Sequence, residues 1–225
     1  MWNETSSRSP KHYQFLINGM IYGSIQYGDV MNAFRFVEES LIPVGSFPDP
    51  PACTTLITSC GEQRYLKLAL SFFEFMKQNH PTVVNIIHYN SLLSLCGKAG
   101  QENLAMNLLR ELQEKGFEPT VSTFNCVIQS FIPSGKIAGA LSVFRNMNVE
   151  PTSLTFSYLI YCCSYANDLE RAVVFYDMMT EKGLPVCVDT FNSIMELCSV
   201  SRAPEKVVEF YGEMKKMKVE PNEKT

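Results

Sequence analysis

The sequence lacks an apolar run that could cross a membrane, and its amino terminus lacks the features of a targeting peptide. No stretch approaches the roughly 20 consecutive apolar residues that a membrane-spanning helix needs. The first 13 residues contain no apolar segment and a single arginine, so we expect neither a signal peptide nor a transit peptide there. These absences favour a protein that does not act in the membrane.

Positive charge is also in short supply. The formal net charge is −4 and the isoelectric point is about 5.5, so the chain as a whole does not attract nucleic acid. An RNA partner would therefore need a local concentration of cations. Apolar residues nevertheless make up 46% of the 225 residues, which is ample material for one or two domains or for one repeat array.

The eight cysteines do not form a metal-binding or disulfide pattern. No C-x-x-C pair is present, and no histidine has a second ligand at metal spacing. Four cysteines instead recur at one equivalent place in successive segments: Cys60, Cys96, Cys163 and Cys198. We therefore expect small, buried thiols in a reducing compartment, with no metal and no cofactor.

A repeat of about 35 residues runs through the chain. A small residue recurs at spacings of 36, 36, 35, 32 and 35, at Ala33, Ala69, Ala105, Ala140, Ala172 and Val207. Seven residues after the last five members of this series stand Met76, Leu112, Met147, Met179 and Met214. In four of the six cases a glycine or its substitute stands five positions before the small residue: Gly28, Gly100, Gly135 and Asn167. Self-similarity at this period predicts stacked helical repeats.

Each repeat is predicted to contain two helices. Phe124, Val127, Ile128 and Phe131 share one helical face, and Gly135 supplies the left-handed residue that ends the first helix. The "VEPT" segment at 149–152 closes the repeat because Pro151 cannot continue a helix. We assign residues 1–13 to a polar tail and residues 223–225 to the start of a further repeat. The six repeats lie between them at 14–49, 50–85, 86–120, 121–152, 153–187 and 188–222.

The fifth residue of every repeat is short and polar. We call this set the stripe residues: Asn18, Thr54, Asn90, Asn125, Ser157 and Asn192. Helical geometry places each of them beside the core face, so stacked repeats should bring them into one row along the surface. Such a row suits the solvated edge of a helical array, but amides that both donate and accept also suit the edge of a nucleic-acid base. The residue pattern leaves both readings open.

The 35-residue period, "HYNSLLSLCGKAG" at 88–100, the alanine series and "EKGFEP" at 114–119 resemble the pentatricopeptide repeat family. The resemblance covers residues 14–222 and is strongest over 86–222. It implies an all-α fold, a right-handed α-solenoid of stacked helix–turn–helix repeats. It also implies single-stranded RNA as the partner, one base per repeat, usually in mitochondria or chloroplasts. The Trp and Gly-Tyr signature of tetratricopeptide repeats is absent from the first helices.

In that family the stripe residue acts together with the last residue of its repeat. We call this second set the closing residues: Asp49, Asn85, Thr120, Thr152, Cys187 and Asn222. The resemblance implies a preferred base for three of these pairs. The pair Asn18 and Asp49 is associated with uracil, the pair Thr54 and Asn85 with adenine, and the pair Asn192 and Asn222 with pyrimidines. Asn90 with Thr120 and Asn125 with Thr152 are less usual combinations, and Ser157 with Cys187 has no clear meaning.

Two further positions depart from the family pattern in part. The second residue of a repeat commonly sandwiches bases, and Ile87 and Leu154 fit that role, as does Phe15, whereas Ser122 and Asp189 do not. A lysine near the end of the first helix often faces phosphate, and Lys98 is the one example here; its counterparts are Gln26, Glu62, Pro133, Tyr165 and Val200. The cationic contribution to RNA affinity is therefore expected to be small.

No catalytic motif accompanies the repeats. The H-x-E and C-x-x-C motifs of a deaminase are missing, and the aspartates are scattered over different parts of the repeat. We expect no enzymatic activity and no small-molecule substrate. Two functions remain: an RNA-binding module of an organellar processing, splicing, stability or translation factor, or a protein-binding scaffold in an organellar ribonucleoprotein such as a mitochondrial ribosome.

Overall fold

A computed structural model describes residues 10–37, 39, 48–62 and 65–225. This part of the chain contains twelve helices and no strand, as an all-α fold requires. The helices form two compact units, one ending at Leu95 and the other beginning at Cys96. The boundary between the two units lies within the fifth helix.

On the predicted repeat boundaries, the helices alternate between the first and the second helix of a repeat. The first helices of the six repeats are α1 (Pro10–Gln26), α3 (Pro50–Glu62), α5 (Ile86–Ala99), α7 (Val121–Ser130), α9 (Ser153–Ala166) and α11 (Val188–Val200). The second helices are α2 (Val30–Phe36), α4 (Leu66–Asn79), α6 (Glu102–Glu114), α8 (Ile137–Arg145), α10 (Leu169–Glu181) and α12 (Pro204–Lys216).

The first helix starts earlier than the sequence pattern suggested. Helix α1 begins at Pro10, so residues 10–13, which we had assigned to the polar tail, are helical. Proline is favoured in the first turn of a helix because its missing N–H is one of the four that have no intrahelical partner. Residues 1–9 of the expected tail lie outside the described residues.

The small residues of the repeat are buried, as their spacing predicted. Ala33, Ala69, Ala105, Ala140 and Ala172 have no exposed surface, and Val207 is half-buried. Met76, Leu112, Met179 and Met214 are also fully buried. Alanine at this place allows two helices to approach closely, and a larger side chain would overpack the contact by about 1–3 kcal/mol.

Left-handed residues join the two helices of a repeat at the expected places. Gly28, Gly100 and Gly135 have φ values of 77°, 65° and 60°, and Asn167 has a φ of 54°. Gly135 is also sterically required, since a Cβ atom there would lie 3.0 Å from the backbone carbon of Tyr165. The prediction that Gly135 stands in the left-handed region is confirmed.

Successive repeats pack on each other within each compact unit. In the first unit, α1 contacts α3, and Phe73 of α4 makes an edge-to-face contact with Tyr89 of α5 at 4.9 Å between ring centroids. In the second unit, α9 contacts both α7 and α11. The first helices of neighbouring repeats are thus adjacent, which is the arrangement that a common line of stripe residues needs.

The cysteines are free thiols, and most of them are core residues. Cys60, Cys96, Cys163 and Cys198 are buried, as predicted. Burial raises the pKa of Cys60, Cys96 and Cys163 to about 12, so these thiols stay protonated. Within the described residues no group of His, Cys, Asp and Glu could hold a metal ion. None of the described helices is both long enough and apolar enough to span a bilayer.

Candidate nucleic-acid interface

The closing residues begin the first helices of the following repeats. Asp49 Oδ1 accepts a hydrogen bond from Ala52 N at 2.8 Å, and Asn85 Oδ1 accepts from Ile87 N at 2.9 Å. Thr120 and Thr152 form capping boxes at α7 and α9. These side chains satisfy N–H groups that the helix itself leaves unpaired. Their position at a helix start therefore has a structural reason that is independent of any ligand.

Cys187 and Asn222 occupy the same place in the last two repeats. Cys187 precedes α11 and lies 3.1 Å, from Sγ to Oγ1, from Thr190. Asn222 Oδ1 accepts a hydrogen bond from Lys224 N at 3.0 Å. Burial acts to raise the pKa of the Cys187 thiol, but hydrogen bonds with Thr190 and with Tyr161 outweigh it and lower the pKa.

The third residue of a repeat connects two residues of the preceding repeat, its stripe residue and its closing residue. The clearest case is in the second compact unit, where the Thr155 hydroxyl donates to Asn125 Oδ1 at 2.7 Å. The same hydroxyl oxygen accepts from Thr152 N at 3.0 Å. Asn125 and Thr152, the two residues that the resemblance pairs, are thus joined through one buried hydroxyl.

The next two repeats show the same connection. Ser157 and Thr190 hydroxyls lie 2.9 Å apart, and Thr190 also contacts Cys187. Thr225 Oγ1 donates to Asn192 Oδ1 at 2.8 Å, and Asn192 Nδ2 donates directly to Asn222 Oδ1 at 3.0 Å.

In the first compact unit a histidine takes the place of threonine. His88 Nδ1 accepts a hydrogen bond from Asn85 N at 3.2 Å, which leaves Nε2 as the protonated nitrogen of the neutral ring. Nε2 lies 3.3 Å from Thr54 Oγ1. Burial lowers the pKa of His88, so the ring is neutral at pH 7. We call His88, Thr155, Thr190 and Thr225 the bridging residues.

The first repeat lacks its bridging residue. The third residue of the second repeat is Ala52, which is fully buried and carries no hydroxyl. Asn18 is only 8% exposed, and its Oδ1 atom has no hydrogen-bond partner among the residues that the structure describes. The unpaired acceptor stands in the one repeat of this unit where the expected donor is missing, which supports the bridging role of the third residue elsewhere.

The stripe residues are deeper than the sequence suggested. We expected a row along the surface, but Asn18, Asn125 and Ser157 are buried, and Thr54, Asn90 and Asn192 are half-buried. The expectation of an exposed row was wrong for these three. Hydrogen bonding to the next repeat lets Asn125 and Ser157 be covered at little cost, whereas Asn18 is covered without such a bond to any described residue.

The apolar second residues are exposed, as base-sandwiching residues would need to be. Ile87 and Leu154 expose 54% and 48% of their surface, and Phe15 exposes 79%. Removing an apolar side chain from water is favourable, so these positions are suited to contact a planar ligand. Lys98 is exposed in the last turn of α5, whereas Tyr165 and Val200 are exposed at its counterpart positions.

A cavity of about 880 Å³ adjoins the last stripe residue. Asn192, Tyr161, Asp189, Glu196 and Lys224 are among its lining residues. Burial raises the pKa of Tyr161 to about 12, and its hydroxyl lies 3.9 Å from Cys187 Sγ. Two carboxylates against one ammonium give this cavity a negative character, which suits donor groups of a base better than a phosphate.

The sequence reasoning missed the bridging residues and Tyr161. The repetition of Thr123, Thr155 and Thr190 was the available signal, but it indicated only a repeated position. Their hydrogen bonds depend on which residue of the preceding repeat lies opposite, and that is set by the stacking of the helices.

Three family descriptions match this chain. The pentatricopeptide repeat domain matches residues 82–134, the pentacotripeptide-repeat region of PRORP matches 145–225, and the PPR repeat matches 52–80 and 122–150. A pentatricopeptide repeat-containing protein of Arabidopsis thaliana is 28% identical over 169 residues, which is 74% of this chain and 19% of that protein. The small ribosomal subunit protein mL103 of the same plant is 25% identical over 179 residues, covering 77% of this chain and 43% of that protein.

Solved structures show the same fold. The pentatricopeptide repeat protein PPR10, bound to an 18-nucleotide psaJ RNA element, superposes with a TM-score of 0.75 and 20% identity, covering 96% of this chain and 34% of that one. The PPR domain of Arabidopsis thaliana protein-only RNase P 1, in complex with tRNA, gives a TM-score of 0.62 and 12% identity, covering 74% of this chain and 89% of that one. The α-solenoid of helical repeats is therefore confirmed. The chain spans between 19% and 43% of the length of the first four curated relatives.

Proposed function

The chain belongs to the pentatricopeptide repeat family, and from that premise we propose that it binds single-stranded RNA along its first helices, one base per repeat. The protein of which it is part acts in RNA processing, splicing, stability or translation in a mitochondrion or chloroplast. Relatives named as chloroplastic and mitochondrial support the location. The segment itself is not catalytic and selects the RNA for its partners.

The observation that carries this proposal is the connection between stripe and closing residues. In three successive repeats of the second compact unit, the stripe residue and the closing residue are both fixed by one bridging threonine, and each repeat has its own. Side chains held before binding lose less conformational freedom when a ligand arrives. A line of fixed amide and hydroxyl groups is therefore well suited to hydrogen-bond the edges of unstacked bases.

The best-defined base contact is proposed at the last repeat. Asn192 is half-buried and Asn222 is exposed, and their amides are held together by the hydrogen bond between Nδ2 and Oδ1. The side-chain amide nitrogen of Asn222 takes no part in that hydrogen bond. By the family pairing this repeat takes a pyrimidine, the first takes uracil through Asn18 and Asp49, and the second takes adenine through Thr54 and Asn85.

Stacking contributes more than charge in this proposal. Ile87 and Leu154 are exposed beside the stripe and support flat faces of bases, while Lys98 alone stands at the place that faces phosphate. Each neutralised phosphate of a single strand contributes a slope of about −0.7 to log affinity against log salt. With few such contacts the slope should be shallow, between about −0.7 and −2.

A protein-binding scaffold is the second candidate function. The similarity to mL103, a small ribosomal subunit protein, favours it, as do the carboxylates of Asp189 and Glu196 beside Asn192. In this case the stripe would be a structural seam between repeats, and the exposed Tyr165 and Val200 would contact a partner protein.

Fluorescence anisotropy with labelled 12-nucleotide oligo(U), oligo(C) and oligo(A) distinguishes the two functions. We expect the single-stranded pyrimidine oligomers to bind, and we expect Asn192→Ala to weaken their binding by a factor of about 5–150, equivalent to about 1–3 kcal/mol. Asn107→Ala, at an exposed asparagine of α6, is the matched control and should leave affinity unchanged. Equal losses for both variants, or no RNA binding at 50 mM salt, would favour the scaffold.

A further inference from the structure

A second cavity lies on the second helices of the last two repeats, away from the stripe. Its volume is about 440 Å³, and α10, α12 and the turn after α12 line it. None of the stripe, closing or bridging residues is in its lining. Its walls are partly apolar and partly acidic. The apolar residues are Val173, Phe210 and Met217, and the acidic ones are Asp177, Glu209 and Glu213.

One buried polar atom in this cavity has no partner. Tyr176 is 6% exposed, and its hydroxyl makes no hydrogen bond within the described part of the chain. The ring is held in place by edge-to-face contacts with Phe210 at 5.1 Å and with Phe191 at 5.8 Å between centroids. Within the described residues, the only other buried side-chain atom of this kind is Asn18 Oδ1. A phenylalanine would pack in the same place without leaving a polar group unsatisfied.

The surroundings of this hydroxyl are negative. Burial and, after it, the carboxylates of Glu213, Asp177 and Glu209 together raise the pKa of Tyr176 to about 12. Glu213 pairs with Lys216 at 2.6 Å, and among the described residues Lys206 is the single cation in the lining. A cation that donates hydrogen bonds therefore complements these groups, whereas an RNA phosphate is repelled by the carboxylates.

We propose that the groove between α10 and α12 binds an arginine side chain from a basic segment of a partner protein. The guanidinium group would donate to the Tyr176 hydroxyl and to the carboxylates, and the aliphatic part of the side chain would contact Val173 and Met217. Arginine fits better than lysine because its planar group has five donors and stacks on aromatic rings. The groove is thus a protein-docking site that is separate from the RNA-binding line.

The test uses a fluorescein-labelled peptide, Gly-Ala-Arg-Leu-Arg-Ala-Gly, and the same peptide with citrulline in place of arginine. Citrulline keeps the shape of arginine and removes its charge. At 150 mM salt we expect the arginine peptide to bind at least tenfold more tightly than the citrulline peptide. Glu209→Gln should weaken the arginine peptide by a factor of about five, and Tyr176→Phe by a factor of about three.

Glu170→Gln is the matched control because Glu170 is an exposed acid of α10 that does not line the groove. It should leave the peptide affinity unchanged. Equal losses for Glu170→Gln and Glu209→Gln would overturn the proposal, since they would indicate non-specific attraction to an acidic protein. Unchanged binding in Tyr176→Phe would overturn it as well.

Two further measurements keep this proposal apart from RNA binding. Tyr176→Phe should melt at the same temperature as the wild type or higher, because it removes an unpaired buried hydroxyl; a lower melting temperature would show that the hydroxyl already has a partner. Oligo(U) should bind the wild type and Tyr176→Phe equally and should not displace the arginine peptide. Displacement would place both ligands in one site and contradict the proposal.

Discussion

Replacing Thr155 with valine tests the bridging role of the third residue most sharply. Valine keeps the shape and the β-branching of threonine but removes the hydroxyl. The change deletes the bond to Asn125 Oδ1 at 2.7 Å and the bond from Thr152 N at 3.0 Å. Asn125 is 4% exposed, so its oxygen loses its partner without access to solvent.

The expected loss follows from these contacts. An unsatisfied buried acceptor costs about 1–3 kcal/mol, and the capping bond to Thr152 contributes about 1 kcal/mol more. Thr155→Val should therefore lower the free energy of unfolding of the second compact unit by about 2–4 kcal/mol. Urea unfolding followed by far-UV circular dichroism measures this difference.

A matched control and a double-mutant cycle complete the test. The hydrogen bond of Thr180 Oγ1 goes to the carbonyl of Asp177 in its own helix, so Thr180→Val should change stability by less than about 0.5 kcal/mol. Combining Thr155→Val with Asn125→Ala should cost less than the sum of the two single changes, by about 1 kcal/mol or more. Equal effects of Thr155→Val and Thr180→Val, or additive changes in the cycle, would refute the bridging role.

Three other perturbations have defined outcomes. Ala52→Ser should raise the free energy of unfolding of the first compact unit by about 1 kcal/mol in urea titrations, because the new hydroxyl can donate to the unpaired Asn18 Oδ1; a loss of stability would contradict this. Since burial lowers the pKa of His88, its contribution is complete above the unfolded pKa of about 6.5 and is lost as pH falls toward the lower folded pKa. Urea unfolding should thus show a lower free energy of unfolding at pH 5.5 than at pH 7.5, and His88→Gln should reduce this difference. An equal difference in that variant would count against the role of His88. Gly135→Ala should destabilise the second unit by about 1–3 kcal/mol in the same assay, because alanine is strained at positive φ and its Cβ would meet the Tyr165 backbone; a neutral result would be inconsistent with the turn described.

The helix pairs were predictable because their signals are local. Ala140 at a close helix contact and Gly135 at a left-handed turn are required by a single repeat, so their spacing in the sequence carried over directly to the structure. The start of α1 was less predictable, since Pro10 is compatible both with a tail and with the first turn of a helix.

The depth of the stripe could not be predicted from one helix. Helical geometry places Asn125 at the edge of the core face, and whether that edge is covered depends on the next repeat. Thr155 supplies both the cover and the hydrogen bond, and it lies 30 residues further along the chain. Asn18 shows the same dependence. It is an asparagine like Asn125, but the next repeat offers it Ala52 where Asn125 meets Thr155, so its oxygen stays unpaired among the described residues.

The stripe is therefore both a seam between repeats and the proposed surface for bases. Buried Asn125 and Ser157 contribute mainly to the seam, while half-buried Asn192 with exposed Asn222 is the pair best placed to contact a ligand. This division predicts uneven sequence preference along a bound RNA, with the strongest at the last repeat.

The most direct test of RNA recognition observes the asparagine side chains themselves. In protein labelled with ¹⁵N-asparagine, the side-chain amide signals of Asn192 and Asn222 should shift when 12-nucleotide oligo(U) is added, while those of Asn103 and Asn107 on α6 stay in place. Amide signals of Asn192 and Asn222 that do not move at a saturating concentration of RNA would contradict the account.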